Sequence, residues 1–261
     1  MPSNLRKFIF HDVQKIEGYI DPPDALVFLA LLECQKANDL IGGIAEIGVF
    51  YGRSYFLLRK IVEPEKDVLA IDLFDLGKNR NGVSDQYRRF LENGRRLGLP
   101  VDESRVIIGD STKLAAKTIV DKIGRIRFFS IDGGHALSTV ASDSLLAQST
   151  LADHGIIAFD DTFNPAWPEV TVGVADFLRD RTPMYTVFCV TKYKTYICKS
   201  QFHDLYRTAI AQAPQLKVFA QSEVRFLGAD ATRLHDPLLR RLFYEAAKHT
   251  GLGALSEIAY R

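Results

Sequence analysis

The fold of this chain is decided by a short glycine-containing stretch, Glu46-Ile47-Gly48-Val49-Phe50-Tyr51-Gly52-Arg53-Ser54. The stretch closes a predicted strand and opens a predicted helix. Its two glycines let the backbone turn sharply and approach a ligand closely, while the N–H groups of the helix face that ligand. A dinucleotide fingerprint needs the spacing G-x-G-x-x-G, and the first glycine of that triplet is missing here. Because Glu46 would repel a pyrophosphate, the stretch favours a ligand that bears a positive charge.

Short apolar runs and helical patterns alternate on both sides of this stretch. The predicted strands are residues 44–47, 68–71, 106–108, 127–131 and 156–159, and the predicted helices are 54–61, 85–97, 113–122, 138–151 and 170–179. Such alternation predicts a parallel sheet with helices on both faces. Two further strands, 186–190 and 195–198, are separated by four residues and must therefore pair antiparallel. The sequence predicts an α/β fold with a mostly parallel seven-stranded sheet that ends in an antiparallel hairpin.

The same pattern divides the chain into three parts. Residues 1–40 form a helical N-terminal segment with a helix from Asp24 to about Lys36, residues 41–200 form the ligand-binding domain, and residues 201–261 form a C-terminal extension. The extension is predicted to be helical near 205–212 and 237–249, with a strand at 216–220, and to serve as a cap or an oligomer contact. A polar loop with two glycines, residues 75–84, is interpreted as a lid or as a solvated connection.

Composition excludes several classes of protein. The chain has 261 residues, of which 47% are hydrophobic and 25% charged, a mixture typical of a globular protein with a sizeable core. A formal net charge of +1 gives no electrostatic reason to expect nucleic acid, and three scattered cysteines form no disulfide framework. The longest apolar run, Ala25 to Cys34, is too short to cross a bilayer, and the first twenty residues do not read as a secretory signal. We therefore expect a cytoplasmic protein with no membrane span.

Two groups of acidic residues follow neighbouring predicted strands. They are Ser130-Ile131-Asp132-Gly133-Gly134-His135 and Phe159-Asp160-Asp161. Parallel strands deliver their carboxyl ends to one edge of a sheet, so Asp132, Asp160 and Asp161 should converge there. Three acidic ligands with a nearby imidazole suit a hard divalent cation beside a proton acceptor. A lysine ammonium among these carboxylates would argue against such a site.

Other polar residues at the same edge have two interpretations each. Asp72 ends the second strand and could accept the hydroxyls of a ribose, or it could be a cap or a loop charge. Asp110 and Ser111 end the third strand and could meet an adenine edge, or they could cap the following helix. Tyr51 and Trp167 could line a substrate pocket or pack in the core.

Together these segments resemble class I S-adenosylmethionine-dependent methyltransferases, which have a Rossmann-like fold, with Glu46-x-Gly48-x-x-x-Gly52 as their first motif. The second half is similar to the group that contains macrolide-sugar O-methyltransferases and cephalosporin hydroxylase-type proteins. That likeness rests on Ile131-Asp132-Gly133-Gly134-His135, on Asp143, and on Gly155 to Asp161. The resemblance covers roughly residues 40 to 200.

The resemblance implies a role for each matching residue. Asp132, Asp160 and Asp161 would hold Mg²⁺, and His135 would be the catalytic base; the family often has Glu-Asp where this chain has Asp160-Asp161. The residues implied to bind S-adenosylmethionine are Glu46, Gly48, Tyr51, Gly52, Ser54, Asp72, Asp110, Ser111 and Asp132.

The implied activity is Mg²⁺-dependent O-methylation of a small molecule, with a sugar hydroxyl favoured and a phenol as the other acceptor. A homo-oligomer is one arrangement that the C-terminal extension would permit. Three alternatives remain open at this point. A hydroxylase-like member of the same family using iron would favour two histidines and one carboxylate, and the site offers one credible histidine. A non-catalytic scaffold that binds S-adenosylmethionine would lack some of the acidic metal ligands, whereas this sequence has all three. A nicotinamide dehydrogenase would have the glycine triplet, which this sequence lacks.

Overall fold

A computed structural model describes residues 1–63, 68–78, 82, 84–181 and 184–250. The strands are β1 (Gly43–Ile47), β2 (Val68–Asp72), β3 (Val106–Ile108), β4 (Ile126–Ile131), β5 (Leu151–Phe159), β6 (Tyr185–Val190), β7 (Thr195–Lys199), β8 (Ala220–Phe226) and β9 (Ala229–His235). The helices are α1 (Ser3–Lys7), α2 (Pro22–Ala37), α3 (Arg53–Ile61), α4 (Gln86–Arg96), α5 (Ala116–Ile123), α6 (Leu137–Thr150), α7 (Pro168–Arg179), α8 (His203–Gln212) and α9 (Leu238–His249).

The strands form one sheet in the order β3-β2-β1-β4-β5-β7-β6-β9-β8. The first five strands pair in parallel, and β7 is antiparallel to both β5 and β6. Two apolar clusters cover the two faces of the sheet. The predicted α/β architecture and the antiparallel hairpin of β6 and β7 are confirmed, but this hairpin does not end the sheet. Chain order reverses between β1 and β4, and the crevice beyond the carboxyl ends of such strands is where open α/β sheets bind ligands.

The predicted number of strands is wrong, because the described part of the sheet has nine strands and not seven. The hairpin of β8 and β9 extends the sheet, and the predicted strand at 216–220 is a 3₁₀ turn, Pro214–Leu216, followed by a strand that begins at Ala220. The hairpin turn places Leu227 at φ 48° and Gly228 at φ 86°. Positive φ at both turn residues is the geometry of a two-residue hairpin, so Gly228 was the available signal. Most of β8 is exposed on both sides, so its sequence lacks the apolar alternation of a half-buried strand.

Helix α2 joins the N-terminal segment to the rest of the fold. Two prolines occupy its first turn, where their fixed φ suits a helix start. Almost all of its side chains from Pro22 to Leu32 are buried, in one cluster with residues of α3, α8 and β6. A helix that is apolar on all sides is stable only inside a core. No helix in the described ranges is long and apolar enough to span a membrane.

The predicted loop at 75–84 lies partly outside the described residues, which omit 79–81 and 83. Its interpretation as a lid therefore stays a prediction. The side chain of Gln86 at the start of α4 accepts a hydrogen bond from the N–H of Leu76 at 3.0 Å. This contact fixes the first part of the loop against α4.

Gly48 is required by close packing between the ends of β1 and β4. Its φ is +80°, and a Cβ atom there would lie 1.8 Å from the carbonyl oxygen of Asp132. We expect Gly48→Ala to lower the free energy of unfolding by about 3 kcal/mol or more, because backbone strain and a clash add. Urea denaturation measures the change.

Gly109→Ala is the matched control, since a Cβ there meets nothing within 4 Å and φ is not positive. This variant should unfold like the parent protein. Equal stability of the two variants would contradict the packing argument at Gly48.

Candidate active site

The carboxyl ends of β4 and β5 lie side by side and bring the predicted acidic residues together. The last residues of the two strands are register partners in the parallel ladder. Asp132 follows β4, and Asp160 and Asp161 follow β5. One ligand atom from each of Asp132, His135 and Asp161 lies within 4.8 Å of the other two. The structure thus brings together the three predicted carboxylates and the predicted base.

His135 is held in one orientation by two contacts. Its Nε2 lies 2.9 Å from Oδ2 of Asp161, and its ring stacks on Trp167 with centroids 4.2 Å apart and planes 10° apart. An ionised carboxylate can only accept, so Nε2 donates and Nδ1 is left as the proton acceptor of the neutral ring. Asn164 donates to the other oxygen of Asp161 at 2.6 Å. Burial raises the pKa of Asp161, but hydrogen bonds from His135 and Asn164 outweigh it and hold that pKa below its usual value.

Lys194, in the turn between β6 and β7, places its ammonium among the carboxylates. Its Nζ lies 2.5 Å from Oδ2 of Asp160, and the two side chains are 4% and 12% exposed. Burial lowers the pKa of Lys194, but the charges of Asp160, Asp132 and Asp24 outweigh it and raise that pKa above its ordinary value. Lys194 therefore carries a fixed positive charge at the centre of the site.

A second layer of hydrogen bonds supports this turn from the side of α2. The buried carboxylate of Asp24 accepts from the hydroxyls of Thr191 at 2.7 Å and Tyr196 at 2.6 Å. The N–H of Thr191 donates to the carbonyl of Lys194 at 2.9 Å and closes the turn. Burial raises the pKa of Asp24 to about 7. The helix start and the hairpin turn are thus locked together.

Asp132 lies beside the carboxylate of Asp160. Burial raises its pKa well above the usual value, and the negative charge of Asp160 raises it further, while Lys194 opposes both effects. A carboxylate with a raised pKa next to another carboxylate marks a place where added positive charge is favourable.

The predicted Mg²⁺ ligands fit a divalent cation only in part. Asp160 is already paired with Lys194, and Asp161 is hydrogen-bonded to His135 and Asn164. The residues that could hold a cation are Asp132, His135 and Asp161. The ligand set Asp132, Asp160 and Asp161 stays a prediction, and Lys194 argues against Asp160 as a member.

The backbone of the glycine stretch turns sharply after β1, as its two glycines predict. Gly52 has φ +96° and immediately precedes α3, and Phe50 has φ 52°. The carboxylate of Glu46 is fully buried, and neither oxygen has a hydrogen-bond partner among the described residues. Burial raises its pKa to about 7, while nearby Ser54 lowers it. The assignment of Glu46 to a cationic group of a bound ligand stays a prediction.

Asp72 lies at the end of β2, as predicted, and already accepts hydrogen bonds from the protein. The N–H of Phe50 donates to Oδ2 at 2.9 Å, and the N–H of Phe74 donates to Oδ1 at 2.7 Å. The side chain of Gln86 donates to Oδ1 at 3.3 Å. Asp72 therefore fixes the glycine stretch in place, and a ribose hydroxyl would have to share its oxygens.

Asp110 and Ser111 follow β3, and Asp110 caps the short turn after it. Its Oδ1 accepts from the N–H of Thr112 at 3.0 Å and from the Thr112 hydroxyl at 2.7 Å. Ser111 lies next to buried Asp143. Burial raises the pKa of Asp143 to about 6, while Ser111 lowers it. Neither oxygen of Asp143 has a partner within the described ranges. The capping interpretation of Asp110 thus holds, and contact with an adenine stays a prediction.

Of the two predicted pocket aromatics, only Trp167 lines the cavity at the acidic residues. Tyr51 is buried, with its ring 4.1 Å from that of Phe50 and the guanidinium of Arg89 3.7 Å from its own centroid. Its assignment to cofactor binding stays a prediction.

A cavity of about 470 Å³ opens directly over the acidic residues. This size suits a small-molecule ligand. The polar residues Asp132, His135, Asp160, Asp161 and Lys194 line the cavity together with Trp167, Tyr193 and residues 19–21.

The strand order and the glycine stretch define a class I methyltransferase-type fold. Residues 45–162 match the family model of a methyltransferase domain. The predicted resemblance to methyltransferases and the predicted class of enzyme are confirmed by this match. No curated protein matches the chain by sequence.

Two solved structures of similar fold are O-methyltransferases. The O-methyltransferase NovP is 15% identical, with a TM-score of 0.53 over 66% of this chain and 78% of its own. CalS11, a TDP-rhamnose 3′-O-methyltransferase of calicheamicin biosynthesis, is 14% identical, with a TM-score of 0.50 over 75% of this chain and 93% of its own. At these identities the likeness shows the fold.

Sequence reasoning missed Lys194 and Asn164. Lys194 is one of the four residues between the two strands of the predicted hairpin. The turn that these residues form lies at the same edge of the sheet as Asp160. Asn164 is three residues beyond Asp161, a spacing at which a turn brings the two side chains together. In both cases the signal was a polar residue close to a predicted site at the same edge of the sheet.

Removing the buried ammonium should destabilise the protein. We expect Lys194→Met to lower the free energy of unfolding by about 3–5 kcal/mol, because Asp160 is left buried and unpaired. Added Mg²⁺ should raise the melting temperature of this variant more than that of the parent, because Asp160 becomes available as a ligand. Urea denaturation and thermal denaturation measure the two effects.

Lys199→Met is the matched control, since Lys199 pairs with exposed Asp153 at 2.6 Å. Its stability should stay close to that of the parent protein. A Lys194→Met variant as stable as this control would show that the ion pair with Asp160 is not structurally important.

Proposed function

We propose that the protein is an S-adenosylmethionine-dependent O-methyltransferase that acts on a hydroxyl of a small molecule, a sugar or a glycosylated natural product. The position of His135 supports this proposal best. Asp161 and Trp167 hold its ring in the lining of a cavity. This cavity lies beside the glycine stretch in the part of the chain that matches a methyltransferase domain. Methylation of a hydroxyl needs a positioned proton acceptor, and the neutral imidazole offers one at Nδ1.

S-adenosylmethionine would supply an activated methyl group, and the residues proposed to bind it are those predicted from the sequence. Glu46 is the best supported of them, because its buried and unpaired carboxylate would attract a positively charged donor. Gly48 and Gly52 give the turn that orients the N-terminus of α3, and Ser54 lies in its first turn. The proposed set is completed by Tyr51, Asp72, Asp110, Ser111 and Asp132.

His135 accepts the proton of the acceptor hydroxyl as the oxygen becomes nucleophilic. Asp161 accepts the hydrogen bond from Nε2 and stabilises the positive charge that forms on the ring. Trp167 stacks on the same ring and keeps it from rotating. The ammonium of Lys194 supplies the fixed positive charge near the acceptor oxygen and balances the carboxylates of Asp132 and Asp160.

A divalent cation is the second candidate for that positive charge. It would act as a Lewis acid on the acceptor hydroxyl, and Asp132, His135 and Asp161 are the residues that would hold it. The grouping of these three ligand atoms favours it, whereas the pairing of Asp160 with Lys194 opposes it. A cation bound by His135 would also take that residue away from proton transfer.

Replacement of the base should slow turnover without removing the methyl donor. We expect His135→Ala to lower kcat by about 10²–10⁴-fold, the usual contribution of general base catalysis. The dissociation constant of S-adenosylmethionine, measured by calorimetry, should change little. His154→Ala is the matched control, because His154 donates to the carbonyl of Ile41 away from the site. A His135 variant with the turnover of this control would exclude His135 from the reaction.

The proposed activity is tested by a methyl-transfer screen over glycosides and phenols with labelled S-adenosylmethionine, each with excess EDTA and with Mg²⁺. We expect O-methylation of a sugar hydroxyl that continues in EDTA, since Lys194 provides the positive charge. Loss of turnover in EDTA that Mg²⁺ restores would assign the charge to a metal instead. Methyl transfer to nitrogen or carbon acceptors alone would contradict the proposed function.

A further inference from the structure

A second cavity, of about 530 Å³, lies next to the candidate active site. The turn between β6 and β7 lines both cavities, with Tyr193 and Lys194 on the first and Thr191 and Lys192 on the second. Asp21 is also shared between them. The volume is in the range of small-molecule sites. One extended ligand could therefore reach from the second cavity to His135.

Three cationic side chains from three different elements line this second cavity. They are Lys192 in the turn after β6, Arg233 in β9 and Arg241 in α9. Within the ranges that the structure describes, no hydrogen bond or ion pair engages the guanidinium group of Arg233 or of Arg241. The ammonium of Lys192 lies 4.3 Å from the centroid of the Tyr193 ring. Arg225 also lines the cavity, but strand alternation places its side chain on the opposite face of β8 from Val224.

Three carboxylates also line the cavity, those of Asp21, Asp24 and Asp236. Asp24 directs its Oδ1 to the hydroxyls of Thr191 and Tyr196, and burial raises the pKa of Asp21 while the charge of Lys192 lowers it. The guanidinium groups of Arg233 and Arg241 have no carboxylate partner among the described residues, and the charge of Arg233 adds to burial in lowering the pKa of His235. Guanidinium groups without a protein partner favour an anionic ligand.

The remaining wall of the cavity is aromatic and apolar. The rings of Phe163 and Phe226 meet edge to face with centroids 5.5 Å apart. Phe163 belongs to the same loop as Asp161, which lines the candidate active site. An apolar wall next to a cationic one suits a ligand with a ring at one point and an anionic group at another.

We propose that the second cavity binds a phosphate group of the methyl acceptor through Lys192, Arg233 and Arg241, so that the acceptor is a phosphorylated small molecule. This inference rests on the proposed function. Guanidinium groups match the oxygens of a phosphate in pairs, and ammonium adds a point charge. The two guanidinium groups that have no carboxylate partner offer more N–H donors than one carboxylate can accept, which favours phosphate over a carboxylate-bearing acceptor.

Calorimetric titration with glucose 1-phosphate, inorganic pyrophosphate, glucuronic acid and glucose, all in EDTA, tests the proposal independently of turnover. We expect the two phosphates to bind the parent protein and to bind the double variant Arg233→Gln/Arg241→Gln at least about tenfold more weakly. Lys217→Gln, an exposed residue outside the cavity, is the control and should bind them like the parent. S-adenosylmethionine should bind all three proteins equally.

Each other outcome overturns the proposal. Absence of phosphate binding, equal weakening by Lys217→Gln, or tighter binding of glucuronic acid than of glucose 1-phosphate would exclude a phosphate site. If S-adenosylmethionine still binds in that case, the proposed function stands and only the phosphate site fails. If S-adenosylmethionine does not bind the parent protein, the proposed function fails, whatever the phosphates do.

Discussion

The ion pair between Lys194 and Asp160 is the contact on which the candidate active site depends. Both side chains are almost fully buried, and a buried charge is tolerated only when a partner compensates for its lost hydration. The pair joins the tip of β5 to the turn between β6 and β7, and Asp24 secures the other side of that turn from α2. Asp132, Asp161 and His135 are arranged around this fixed charge.

Most of the sheet could be predicted from the sequence, because buried parallel strands are short, continuous apolar runs. The five parallel strands and the first hairpin lie where their apolar residues place them. Convergence of Asp132 with Asp160 and Asp161 followed from the same rule, since the carboxyl ends of adjacent parallel strands share an edge. Local sequence and parallel topology together were sufficient for these features.

Features that depend on longer-range pairing could not be predicted in this way. Most of β8 is exposed, so its residues show no periodic apolar pattern. Its pairing with β9 depends on the two-residue turn that contains Gly228. In the sequence, Lys194 resembles a solvated turn residue. Its burial becomes apparent only when the hairpin turn is packed against Asp160 at the end of β5. Its burial results from the packing of α2 over the turn, which the sequence of the turn does not encode. The hydrogen bonds of Asp110, by contrast, were foreseen as one of two alternatives.

The position of α2 has a consequence for how the chain can be divided. Residues 1–40 read as a separate helical segment, yet Asp24 shields the turn that carries Lys194, and Asp21 lines both cavities. A shortened protein that starts at the first strand would keep the glycine stretch and the acidic residues but would admit water to the ammonium of Lys194. The start of the N-terminal helix α2 therefore forms part of the wall of the candidate active site and shields the ammonium of Lys194 from water.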